Sequence, residues 1–91
     1  MKNNISVMGQ KVIDRINNQA NLYRQYYLAG WADKNEVMGG CHKVEYRIRF
    51  MRSCGVLRFL EAEELELKAV SIFMKMMEDA EKEKSNAEHL D

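Results

Sequence analysis

Ninety-one residues with 14 basic and 14 acidic side chains, 46% apolar residues, two cysteines and no proline make one small domain at most. A folded monomer of 10.7 kDa buries only about 65% of the surface of its extended chain, so a single core is thin and self-association is expected from the outset. No stretch approaches about 18 consecutive apolar residues, and the N-terminal residues lack the pattern of a secretory signal; the expectation is a cytoplasmic protein without a membrane role.

The balanced charge hides a division. Residues 1–58 hold ten basic side chains against four acidic ones, and residues 59–91 hold four lysines against ten acids. Such asymmetry suits an anion-binding surface on the basic part or the docking of one protomer on another. Mutual neutralisation within a bundle or oligomer is the simpler reading. Cys41 and Cys54 are too few for a disulfide framework and read as packed thiols.

Helix-tolerant Glu, Lys, Met, Leu and Ala predominate, and glycines are the only strong punctuation. In the first segment Ile5, Met8, Val12, Ile16, Ala20, Tyr23 and Tyr27 recur at steps of three or four, the stripe of an amphipathic helix that Gly30 can end. Asp33 and Glu36 then form a capping-box signal, which predicts a second helix from about Lys34. Gly39 and Gly40 weaken its first turns by about 1 kcal/mol each and suggest a kink or a late start at Cys41. Val37, Cys41, Val44, Ile48 and Met51 continue the helical seam to Gly55. Residues 43–50 also alternate as a half-buried strand would, so an α+β alternative places one intermolecular strand there. Helix is preferred, because no other segment offers that strand a partner within the chain.

The third helix is predicted from Val56 to about Glu83, with a frayed polar tail beyond it, so that residues 1–84 form the domain and 85–91 a flexible end. It carries two apolar seams. One reads Val56, Leu60, Glu63, Leu67, Val70, Met74, Met77, and the other reads Ala62, Leu65, Ala69, Ile72, Met76, Ala80. At about 100° per residue the two lie on nearly opposite sides, and a helix of that kind needs neighbours on both. The fold expected is therefore all-α, three helices with a long C-terminal one, a bundle completed by oligomerisation.

Two surfaces stand out as candidate sites. Lys43, Arg47, Arg49, Arg52 and Arg58 lie among Tyr46, Phe50 and Phe59, a basic aromatic face over residues 42–58 that suits a nucleic acid or nucleotide, with cations on phosphates and rings on bases. Tyr26 and Trp31, with Tyr46 and Phe50, are candidate contacts for a protein partner, since aromatic side chains dominate interface hot spots. Met74, Met76 and Met77 read as ordinary core before they read as an adaptable contact surface.

Chemistry is not indicated. Cys41, His42, Cys54 and His89 contain no CxxC or HxxxH pair, Gly39 and Gly40 lack the Lys and Ser or Thr of a phosphate loop, and no nucleophile has a recognisable base and orienter. Neither a metal nor another cofactor is expected. A ribbon-helix-helix order would need a strand ahead of two helices, and the Ala29 to Asn35 connection is longer than a helix-turn-helix turn. In size, helical build and lack of a catalytic motif the chain is similar to short accessory proteins of phages and mobile elements, a likeness of composition and not of any motif. It implies a small non-catalytic protein that inhibits or adapts a host factor by protein–protein contact, with nucleic-acid or nucleotide binding as the alternative.

Overall fold

In the computed structural model, which describes residues 5–89 and the side chains as far as Ala87, the chain is three α-helices. Among the described residues there is no strand. Helix α1 is Val7–Leu28, α2 is Lys34–Ser53 and α3 is Phe59–His89.

Local chemistry sets each boundary. Ser6 caps α1, its Oγ accepting the Gly9 N–H at 2.9 Å. At the other end Gly30 takes φ +81°, its N–H donates to the Tyr27 carbonyl, and the Trp31 N–H donates to the Tyr26 carbonyl. This is a Schellman motif. The same motif closes α2, with Gly55 at φ +77°, Gly55 N–H bonded to the Arg52 carbonyl and Val56 N–H to the Met51 carbonyl. The capping box that opens α2 is complete: Asp33 accepts the Glu36 N–H at 2.8 Å and Glu36 accepts the Asp33 N–H at 2.9 Å.

Three expectations need correction. The strand alternative over residues 43–50 is overturned, because α2 is continuous through Gly39 and Gly40 to Ser53. Val44 and Ile48, four apart, are buried while Tyr46 and Phe50 are exposed, so the apparent alternation is a by-product of helical spacing. Helix α3 starts at Phe59 and not Val56, since Val56 completes the cap of α2 and Leu57 turns into the core. It also runs on to His89, past the expected end near Glu83. The Arg24–Glu83 ion pair, and Lys84 Nζ set 4.5 Å from the Tyr27 ring centroid, hold α3 against α1 as far as Lys84. Of the expected tail, residues 90–91 lie outside the described residues.

The helices run up, down and up. Ser6 meets Glu61 and Arg24 meets Glu83, so α1 and α3 are parallel; Arg49 meets Glu66 and Arg52 covers Phe59, so α2 is antiparallel to α3. The core forms where the three apolar lines converge: Val12, Ile16 and Ala20 from α1, Val37, Cys41, Val44 and Ile48 from α2, and Ala62, Leu65, Ala69, Met76 and Ala80 from α3. Phe73, absent from both seams read in the sequence, is the largest fully buried side chain. It lies between them on the helix surface and packs against Tyr23, with ring centroids 6.1 Å apart and the ring planes tilted by 55°. Met76 and Met77 are core, whereas Met74 is exposed. No described helix is long and apolar enough to cross a membrane.

Candidate functional site

Each helix amide pattern places its cations by angle around the helix axis, and packing then decides which cations are consumed. Three ion pairs join the basic part of the chain to the acidic part: Arg24–Glu83, Lys34 with Glu81 at 3.5 Å, and Arg49 with Glu66 at 2.8 Å. Three of the ten cations of residues 1–58 are thus paired with acids of α3.

The five cations expected to bind an anion do not form one patch. Arg49 turns toward α3, where the Glu66 carboxylate, by hydrogen bond and charge, holds the guanidinium proton more tightly. Its guanidinium also lies 5.7 Å from the Tyr46 ring centroid. Arg52 sits half-buried with its guanidinium 5.0 Å from the Phe59 ring. Arg58 stands at the start of α3 beside Phe59, Leu60, Glu61 and Glu64. Lys43 is exposed on the outer face of α2, while Arg47 turns toward α1.

The aromatic candidates also separate. Tyr26 and Trp31 are stacked at a tilt of 30° with centroids 6.0 Å apart. In the Schellman cap these are the two positions whose apolar side chains meet across the turn, so the pair seals the end of α1. Trp31 keeps 76% of its surface exposed even so. Tyr46 and Phe50 are exposed on the outer face of α2, away from that turn.

What the structure brings together is a groove of about 360 Å³ between α1 and α2. Its floor is Val12 and Ile16 from α1 with Val44 and Ile48 from α2, and Met8 and Met51 close one end. Lys11 and Arg15 on one wall and Arg47 on the other complete the lining. None of these three cations takes part in an ion pair among the described residues. No residue of α3 lines it, so it opens on the side of the bundle away from α3.

Of the groove's cations the sequence reading named only Arg47. Lys11 and Arg15 carry a recoverable signal: they are four residues apart on α1 beside Met8 and Val12, hence along the edge of the apolar stripe.

Both cysteines are free. Cys41 is buried with its Sγ 3.9 Å from the Ala69 carbonyl, and burial, reinforced by Glu45, pushes its thiol up to about 11. His42 lies 3.1 Å from Glu45 at the surface, and the His89 side chain lies outside the described residues. No protein-family model matches the chain, and no curated protein or solved structure matches it either.

Proposed function

We propose that this chain is a non-catalytic protein-binding module, an inhibitor or adaptor, that receives an acidic amphipathic helix in its α1–α2 groove. The observation that carries this reading is the pairing of an apolar floor with three cations that no carboxylate among the described residues engages, set on both walls. Apolar side chains of the incoming helix would seat over this closed floor and against Met8 and Met51, the more exposed apolar side chains of the lining, and carboxylates on its flanks would meet Lys11, Arg15 and Arg47. A nucleic acid offers charge without the apolar ridge that such a floor needs, and Arg49 and Arg52, two of the cations it would call on, are engaged by Glu66 and Phe59.

The test is fluorescence anisotropy with labelled helical peptides that share one leucine ridge and carry either acidic or basic flanks, alongside a single-stranded oligonucleotide. Expected is saturable binding of the acidic peptide alone, weakened at least tenfold by the double variant Arg15→Glu, Arg47→Glu. Failure of the acidic peptide to bind would sink the reading. Oligonucleotide binding that is tighter, falls steeply with salt and is lost in that variant would replace it with the nucleic-acid reading.

A further inference from the structure

Part of the α3 seam that starts at Val56 is left uncovered, although its Met77 is core and its Val70 packs against the core. Leu60, Leu67 and Met74 are 75%, 73% and 58% exposed and recur every seven residues, so they form one ridge along the helix. At about 100° per residue the ridge lies roughly 165° around α3 from the buried line through Ala62, Leu65 and Ala69, with Leu67 on the flank beside Glu45 and Arg52 of α2. Glu63, Glu64 and Glu78 stand beside it. Glu63 and Glu64 enter no ion pair among the described residues, and Glu78 reaches only the exposed Lys82, at 3.9 Å.

Resting on the groove reading above, we infer that the helix entering the groove is α3 of a second copy of this chain, seated through Leu60 and Leu67. The dimensions agree. Leu60 and Leu67 are about 10 Å apart along α3 at 1.5 Å per residue, and the groove wall from Met8 to Ile16 runs about 12 Å. Charge agrees as well, since Glu63 and Glu64 fall between the two leucines while Lys11, Arg15 and Arg47 rim the groove.

Charge also selects against the symmetric pairings. Ridge on ridge through Leu60 and Leu67 would gather Glu63 and Glu64 from two copies with only Lys68 nearby to offset them, and groove on groove would gather Lys11, Arg15 and Arg47 from two copies; the contact of one surface with the other is the one that pairs opposite charges. Ridge and groove are different surfaces of the chain, sharing no lining residue, so the contact is head-to-tail. It continues from copy to copy, as a filament or a closed ring.

The test is sedimentation velocity of the full chain and of two variants whose helicity is first verified by circular dichroism. Leu67→Glu spoils the exposed ridge and leaves the groove, whereas Arg47→Glu spoils the groove and leaves the ridge. At low salt the unaltered chain is expected to pass beyond the dimer as concentration rises, and each variant alone to stay monomeric. An equimolar mixture of the two variants should form a dimer and go no further, because one intact ridge and one intact groove remain. A monomeric mixture, or assembly of either variant alone, overturns the inference. If the acidic peptide binds the groove while the unaltered chain stays monomeric, this inference fails and the groove reading stands. If the peptide does not bind, the groove reading itself fails.

Discussion

The Tyr23 ring lies directly over Gly40: a Cβ built on Gly40 would meet ring carbons Cε2 and Cζ of Tyr23 at 2.4 and 2.5 Å. Absence of a side chain at Gly40 is what lets α1 and α2 approach there, and it explains why α2 runs unbroken through two glycines that cost it helix propensity. Gly39, one residue earlier, has open space around its Cβ position.

These neighbours should therefore respond in opposite directions to the same change. Gly39→Ala is expected to stabilise the protein by up to about 1 kcal/mol through helix propensity. Gly40→Ala gains the same propensity but forces the Tyr23 ring aside, and overpacking of about 1–3 kcal/mol leaves it a net loss. Urea unfolding of both variants measures this, and equal stability changes would contradict the close contact.

Ser6 and Glu61, 55 residues apart in sequence, tie the start of α1 to the start of α3. The Glu61 carboxylate accepts the Ser6 N–H at 2.6 Å and the Ser6 hydroxyl at 3.0 Å, while that hydroxyl oxygen accepts the Gly9 N–H. Glu61→Ala should cost about 1 kcal/mol, as befits charge-assisted bonds at an exposed site. It should also speed amide exchange at Gly9 and Gln10, whose N–H groups bond to Ser6. Unchanged exchange at those two amides would show that the tie does not hold the first turn.

The two cysteines should behave as different chemical species. Cys54 is exposed and Cys41 is buried, with its thiol pushed from an ordinary 9.0 up to about 11 by burial and then by Glu45. At pH 8 an alkylating agent is expected to modify Cys54 in the native protein and Cys41 only in denaturant, read by mass spectrometry. The folded chain holds the Cys41 proton more tightly than the unfolded chain does. Its contribution to stability is thus complete below about pH 9 and lost as pH rises toward 11. The unaltered protein should lose more stability than Cys41→Ala across that interval, and equal losses would contradict the burial of the thiol.

Helix type and most boundaries were legible because their causes are local. Asp33 with Glu36 opens α2, and Gly30 and Gly55 close α1 and α2 by motifs confined to six residues. The start of α3 was misread by three residues because Val56 looks like the head of a seam, yet its N–H belongs to the cap of α2. Phe73 escaped notice because it sits between two seams, each of which looked complete without it.

The candidate site was less legible, for a physical reason. A helical cation can turn to either flank, and tertiary packing chooses: Arg49 goes to Glu66, 17 residues on, while Arg47, two residues earlier, goes to α1. Lys11 and Arg15 join Arg47 only because α1 and α2 are antiparallel, which no local pattern states. Tyr26 and Trp31 were visible as an aromatic cluster, and the cap they seal could have been inferred from Gly30 standing between them.

Whether a helix enters the groove is decided by an NMR titration of methyl-labelled protein with an acidic amphipathic peptide. Shifts are expected at Val12, Ile16, Val44 and Ile48, together with Met8 and Met51, while the Trp31 indole signal stays in place. Shifts centred on Trp31, Tyr46 and Phe50, with the groove methyls unmoved, would contradict the groove as the binding surface and return that role to the aromatic side chains.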